Sequence, residues 1–244
     1  MTDAAPVFAH LHLHTEYSLL DGGNTCKKLV KQVKALGMDT VAVTDHGNLH
    51  AAMEFYGVAK AEGIKPILGI EAYVAPLCRT RRQKEVEGRI GGHHLVLLAE
   101  NETGWRNLLR LSSDAYLNGF YHRPRMDKST LEQWSEGLIA INGHLGSSLA
   151  WHLVKLEETG DDRHWDAALE EARSHAKIFK PNANGEPTFF VELQVHEVQM
   201  QLAINPHLKR LAAELNLPLV CDNDAHFLRA EDHDAHDTLC CISM

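Results

Sequence analysis

A chain of 244 residues with 44% hydrophobic and 7% aromatic content can build one α/β barrel or two smaller domains, either with a substantial buried core. Its formal charge of −9 argues against a nucleic-acid binder that works by bulk positive charge. No apolar run reaches membrane-span length, and Met1 to Pro6 lacks the basic and apolar regions of a signal peptide. Five cysteines (Cys26, Cys78, Cys221, Cys240, Cys241) show neither paired zinc spacing nor a disulfide pattern, which points to reduced thiols and a cytoplasmic setting. The unusual feature is the presence of 17 histidines.

The chain opens on an expected strand, in which His10, His12 and His14 alternate with Leu11 and Leu13. Residues two apart on a strand share a face, so the three imidazoles point one way. Imidazole ligates zinc, copper, iron and nickel, and such a row resembles half a coordination shell. Unconnected surface or core histidines are the alternative for the triplet on its own. Asn24-Thr25 then offers an N-cap for a helix over residues 26–36, with Leu29, Val30, Val33 and Leu36 as its apolar stripe and Gly37 as its stop. A short buried strand over 40–44 ends in Asp45-His46-Gly47. A helix over 49–61 follows, and then Pro66 to Ile70 leads into a third strand at Glu71-Ala72-Tyr73-Val74. Strand, helix, strand, helix, strand with short connections is the rhythm of parallel β/α units.

Residues 79–92 break that rhythm with Arg79, Arg81, Arg82, Lys84 and Arg89 among glycines, and read as a mobile basic loop, solvated in preference to substrate-gripping. A fourth strand is expected at 93–99, helices at 105–117 and 129–134, and between the helices a basic, aromatic turn, Phe120-Tyr121-His122-Arg123-Pro124-Arg125. A fifth strand over 138–144 ends on His144. The helical pattern of 148–179 breaks near Thr159-Gly160-Asp161-Asp162, a sixth strand spans 189–196, a helix 205–215, and a seventh strand 217–221 runs into Asp222-Asn223-Asp224-Ala225-His226. The final helical pattern, from Glu231, has no terminator, as though the natural chain continues.

Several of these strands end in a histidine or a carboxylate: His12/His14, Asp45-His46, Glu71, His144 and Asp224/His226. The C-terminal strand ends of a β/α barrel converge on one face, where active sites lie. His94 stands instead at a strand start. Histidine nitrogens bind borderline metals, while Asp and Glu supply oxygens that can bridge two ions. Ions roughly 3.5–4 Å apart can activate water and stabilise the oxygens of an in-line phosphoryl displacement. Nine candidates (His12, His14, Asp21, His46, Glu71, His94, His144, Asp224 and His226) exceed the needs of one ion, so a centre of two or three divalent ions is expected. Bound cations would also reverse the acidic charge locally. No nucleophilic elbow, phosphate loop or dinucleotide fingerprint competes with this reading.

His12-Leu13-His14-Thr15, Thr44-Asp45-His46-Gly47, Gly69-Ile70-Glu71-Ala72-Tyr73 and Asn223-Asp224-Ala225-His226 resemble the motifs of the PHP (polymerase and histidinol phosphatase) family of metal-dependent phosphoesterases. The resemblance is closer still to the N-terminal PHP domains of bacterial DNA polymerase III α subunits. It is carried by residues 10–22, 63–73 and 119–125, by Glu192-Leu193-Gln194 and by His236-Asp237-Thr238-Leu239-Cys240, and it spans nearly the whole chain in order. It implies a single domain over residues 1–244, a distorted seven-stranded (β/α)7 barrel, cut from the N-terminal part of a longer polymerase. It also implies a trinuclear zinc, manganese or iron centre. His12, His14, Glu71 and Asp224 would hold one ion, and Glu71 would bridge to a second held by His94 and His144. Asp21, His46 and His226 would hold the third. His94 is preferred to its neighbour His93 because the family histidine directly precedes the apolar strand.

Two positions depart from the polymerase pattern. His144 stands where a cysteine is usual, and Asp222 replaces a threonine and adds a carboxylate without an evident role. The activity implied is 3′–5′ exonucleolytic proofreading of single-stranded or mismatched DNA 3′ ends. Water at the metal centre would attack, with Glu71 and Asp224 as bridging or orienting carboxylates. A small-molecule phosphatase of the histidinol-phosphatase type and an inactive structural module of the polymerase are the rival readings. Arg123 and Arg125 would hold a phosphate or pack against the barrel, and His196 would line the cleft or lie behind it. The partners implied are a DNA 3′ end and the remainder of the polymerase α subunit, with no membrane.

Overall fold

The computed structural model describes residues 8–82 and 91–242. Its elements in chain order are α1 (Cys26–Ala35), β1 (Thr40–Val43), α2 (Ala52–Ala61), β2 (Lys65–Val74), β3 (His93–Ala99), α3 (Glu102–Leu117), β4 (Arg125–Met126), α4 (Lys128–Trp134), β5 (Leu138–Asn142), α5 (Ser148–Thr159), α6 (Arg163–Ile178), β6 (Phe189–Gln194), α7 (Gln199–Leu215), β7 (Leu219–Asp222), a 3₁₀ turn (Ala230–Asp232) and α8 (His233–Ile242). The local signals act as expected at α1. The Thr25 side chain accepts from the Lys28 backbone N–H, Leu29, Val30 and Val33 are buried, and Gly37 takes a φ of 76° that releases the chain toward β1. α7 begins six residues ahead of the expected start, because Pro206 is accommodated inside the helix rather than in its first turn.

The strands form one curled, mixed seven-stranded sheet in the order β1-β2-β3-β5-β6-β7, with β4 paired to β2. It is a distorted (β/α)7 barrel, but two of its features correct the sequence expectation. The first is direction: β3 runs antiparallel to both β2 and β5, so the start of β3 lies at the same end of the sheet as the end of β2.

The second correction concerns the opening stretch, which forms only isolated bridges, Leu13 with Ala225 and Thr15 with Asn24. It is threaded between β1 and the residues after β7. Ala42 N–H donates to the His10 carbonyl at 2.8 Å, Thr44 N–H to that of Leu13 at 2.8 Å, and His14 N–H to that of Ala225 at 2.9 Å. The backbone N–H groups of Leu11 and His12 are taken by the Asp222 carboxylate at 2.7 and 3.0 Å. A side chain thus replaces part of a strand ladder, which is why no regular strand forms there. It also assigns Asp222 a role, as the clamp that closes the barrel. The seventh strand is instead the two-residue β4, which begins at the last residue of the stretch read as a turn.

Alternation sorts the inner face into two layers. His94, Val96 and Leu98 share one face of β3, as Ile67, Gly69 and Glu71 do on β2 and Phe190, Glu192 and Gln194 on β6. At one end, Val96, Leu98, Ile141 and Ala42 form an apolar cluster joined by Leu11, Ile67, Ile139, Phe190 and Val220. At the other end the same faces carry His12, Glu71, Glu192 and their neighbours. The main core lies between the sheet and α3 to α7, around Leu97, Leu108, Leu111, Leu149, Leu153, Phe189 and Leu208. A second core, around Val30, Val41 and Phe55, holds α1 and α2. Cys221 is exposed on β7.

Candidate metal centre

The nine candidates come from the opening stretch, the strand ends and the loops after them, and the structure brings all nine into one cluster. His12 and His14 are both 0% exposed. Their Nε2 atoms lie 3.2 and 3.1 Å from Asp224 Oδ1 and 3.4 and 3.5 Å from the two Glu71 oxygens. Glu71, at 1% exposure, also meets His94 Nδ1 at 2.8 Å and His144 Nε2 at 2.9 Å, and pairs with His46 Nδ1. Asp21 joins from the other side, 3.2 Å from His46 Nε2 and 4.0 Å from His226 Nε2. His94, though only the second residue of its strand, reaches Glu71 because β3 is antiparallel. His93 points to the opposite face, its ring 6.0 Å from that of Trp151, so His94 and not His93 joins the cluster.

Local chemistry aims these rings. Ser18 Oγ donates to Asp45 Oδ1 at 2.8 Å, so toward His14 Nδ1, 2.9 Å away, it acts as acceptor. His14 therefore carries its hydrogen on Nδ1 and turns Nε2 to the centre. Asp45 in turn is held by the Thr15 N–H and hydroxyl, both at 2.7 Å. His226 Nδ1 donates to the Asp224 carbonyl at 2.8 Å, again directing Nε2 inward. Asp224 adopts a left-handed φ of 50°, a conformation that Asp tolerates better than most residues. Gly146 lies flat against the His94 and His144 rings, where a Cβ would come within 2.9 Å of each, so any side chain there would displace them.

The electrostatics show what the cluster needs. Burial disfavours ionised Glu71, yet His94 and His46 hold its pKa well below the ordinary carboxylate range. Burial likewise opposes the charge on Asp224, and His12 and His14 overcome it, again lowering the pKa. In return, against their own burial, Glu71 and Asp21 push His46 up to about 10, and Asp224 and Glu192 raise His12 well above its usual value. Burial and the neighbouring His46 hold His14 down at about 4. Buried carboxylates are thus balanced by protons on histidines, an arrangement that a divalent cation can take over. His12 Nε2, His14 Nε2, His46 Nδ1, His144 Nε2, Glu71 Oε2, Asp21 Oδ1 and Asp224 Oδ1 are buried without a hydrogen-bond partner among the described residues. Orphaned buried atoms of ligand type are costly unless an ion satisfies them. Four overlapping groups fit a metal ion: His14, His46, His226; His12, His14, Glu71; His12, His144, Glu192; and His46, Glu71, His94.

The last of the site's buried acids was not among the nine. Glu192, 0% exposed, stands 3.0 Å from His12 Nδ1 and 3.3 Å from His144 Nδ1. The available signal was a single carboxylate inside the apolar run Phe189-Phe190-Val191-Glu192-Leu193, which an ordinary buried strand would not carry. His196 stays outside the cluster, hydrogen-bonded to Gln194 at 2.8 Å. Of the two arginines, Arg123 lines a cleft of about 480 Å³ whose walls include Asp21, His46, His94, Tyr73, Tyr116 and Phe120. Arg125 packs instead: it is 2% exposed and donates to the backbone carbonyls of Gly119, Arg79 and Arg81. Arg79, expected in a solvated loop, pairs with Asp127 at 3.1 Å and with Asp114. The rest of that basic stretch, residues 83–90, lies outside the described residues.

Residues 10–196 match the PHP domain family. The chain belongs to the PHP family. It is 43% identical over 235 residues to the DNA polymerase III subunit alpha of Treponema pallidum, a match that covers 96% of this chain and 19% of that protein. The corresponding subunit of Thermus aquaticus is 43% identical over 238 residues, covering 96% and 18%. This PHP domain therefore spans about a fifth of the length of the curated relatives it matches. Among solved structures, a protein from Bifidobacterium adolescentis assigned to the metal-dependent phosphoesterases shares the fold at a TM-score of 0.50 and 16% identity, over 90% of this chain and 87% of that one. No helix among the described residues is long and apolar enough to cross a membrane.

Proposed function

We propose that this PHP domain is a metal-dependent phosphodiesterase that works as a 3′–5′ exonuclease, proofreading for a replicative DNA polymerase III α subunit. The observation that carries the reading is the set of orphaned, buried ligand atoms contributed by seven of the nine converging positions, beside an open cleft. In this proposal His12, His14, Glu71 and Asp224 hold one ion, His94, His144 and the bridging Glu71 a second, and Asp21, His46 and His226 a third. The ions are zinc, manganese or iron. When bound, they supply Lewis-acid charge for the phosphoryl oxygens and lower the pKa of water to the neutral range.

The chain's own residues supply the rest. Glu71 and Asp224, the carboxylates nearest the centre, orient the attacking water. Arg123, its guanidinium 5.6 Å above the Tyr73 ring, gives the cleft a cation for a neighbouring phosphate. Tyr116 and Phe120, stacked at 6.2 Å and 41% and 49% exposed, offer faces on which a base can stack. The remainder of the α subunit is the partner in this reading, in keeping with the length of the relatives. Free thiols at the described cysteines suit a cytoplasmic site of action.

Purified protein with Mn²⁺ or Zn²⁺ is expected to shorten a labelled oligonucleotide with a single-stranded or mismatched 3′ end, and His14→Ala to abolish this. Full activity in His14→Ala would sink the assignment. Turnover of a phosphomonoester in preference to the oligonucleotide would move the domain to the small-molecule phosphatases.

A further inference from the structure

Glu192 faces no lysine or arginine among its described contacts. Its partners are two imidazoles and one amide: Oε1 lies 3.0 Å from His12 Nδ1 and accepts from Gln194 Nε2 at 2.8 Å, and Oε2 lies 3.3 Å from His144 Nδ1. A carboxylate has no hydrogen to give, so the His12 ring must present an Nδ1–H to Oε1, while Oε2 and His144 Nδ1 face each other at ion-pair range without a formed hydrogen bond. Their Nε2 atoms are thereby turned to the centre, and both meet the same atom there, Glu71 Oε1, at 3.4 and 2.9 Å. Gln194 is itself braced, its Oε1 taken by His196 Nε2 at 2.8 Å. The chain His196, Gln194, Glu192 thus ends on two candidate ligands at once.

We propose that Glu192 is a positioning residue shared by two metal sub-sites: it fixes His12 and His144 as Nδ1–H tautomers and holds both Nε2 atoms toward Glu71. Through it, two ions depend on one carboxylate that binds neither. The inference rests on the ligand sets proposed above, in which His12 and His144 serve different ions. The three-residue group His12, His144 and Glu192 also has the composition of a metal site in its own right. The Gln194 amide argues against that role, because its N–H group already occupies the Oε1 side that a cation would need. Carboxylates that orient ligating histidines typically matter by about 10–100-fold in metal affinity.

Glu192→Gln preserves shape but leaves one acceptor atom for two Nδ1–H groups. Metal content after dialysis and Mn²⁺ or Zn²⁺ titration are expected to show two equivalents weakened together, each by about 10–100-fold, with the third retained. His226→Ala, by contrast, should weaken the third alone. Histidine ¹⁵N NMR of the Zn²⁺-loaded proteins, in which the metal takes Nε2, should show the Nδ1–H of His12 or His144 altered in the variant relative to the unaltered protein. Gln194→Ala, which removes only the brace, should weaken the same two equivalents more mildly, and it decides the matter if Glu192→Gln does not fold.

Tight retention of all equivalents in the variants overturns the assignment, as does weakening of a single equivalent, which would make Glu192 the ligand of one ion. Absence of bound metal in the unaltered, folded protein would instead remove the metal-centre reading on which this rests.

Discussion

The two ends of the barrel interior are built on the same strands with the same two-residue period, yet they hold opposite contents. One end is a packed apolar plug of Val96, Leu98 and Ile141 with Ile67 and Phe190 against them. The other is a cluster in which Glu71, Glu192, Asp224 and five or more histidines share a few ångströms. The plug is satisfied by its own contacts. The cluster is satisfied only by protons on histidines, and several of its ligand atoms have no hydrogen-bond partner at all among the described residues. The difference teaches that along a single strand the inner face passes from self-satisfied packing to unpartnered ligand-type atoms within about two side chains.

The sharpest way to break this comparison is Glu71→Gln, at the polar end. Five of the nine candidates meet Glu71, so metal retention and nuclease activity are expected to fall beyond the roughly 10–100-fold that an outer partner costs. Metal analysis and the oligonucleotide assay check this, and a variant that keeps its full metal content would deny Glu71 its central place. At the apolar end, Ile141→Ala should cost about 2–5 kcal/mol of stability. It should lower Tm equally in the chelated and the metal-loaded protein, leaving the metal stoichiometry of the folded fraction unchanged. A change in stoichiometry would show that the two ends are not separable.

A pH series sharpens the contrast further. With metal removed, His46 and His144 have pKa values of about 10 and about 9, above the unfolded value near 6.5. Their contribution to stability is fully present below pH ~6.5 and is lost as pH rises through about 9 to 10. The chelated protein should therefore lose Tm over that range. Metal-loaded protein should not, because binding displaces those protons and strengthens as they leave. Matching Tm profiles for the two forms would refute the proton-for-metal exchange. The smallest effect belongs outside both layers: Thr25→Ala, at the N-cap of α1, should cost about 1 kcal/mol and leave metal retention as it was, readable by denaturant titration.

Much of the site was legible in the chain because metal chemistry draws on few residue types. His12, His14, Asp45-His46 and Asp224-Ala225-His226 are conspicuous as titratable residues at the ends of apolar runs. Arg123 and Arg125 were alike in sequence, two residues apart and both basic, but β4 turns the Arg125 guanidinium in to three carbonyls and leaves Arg123 on the cleft. Nothing local distinguishes them, because the difference lies in which neighbour offers acceptors. Asp222 likewise had no readable role, since its partners, the backbone N–H groups of Leu11 and His12, lie at the far end of the sequence.

By itself the sequence determined the candidate ligand types, the helices and the existence of an inner face, because side-chain period, capping and donor chemistry are local properties. Only the tertiary structure decided that β3 runs backward and so delivers His94 from a strand start. It also decided that the opening histidines lie on a threaded segment held by Asp222 rather than on a regular strand, and that Glu192 meets two candidate ligands at once. Strand direction, closure of the barrel and shared hydrogen bonds are relations between distant segments, set by which backbone and side-chain groups remain unpaired when the sheet curls.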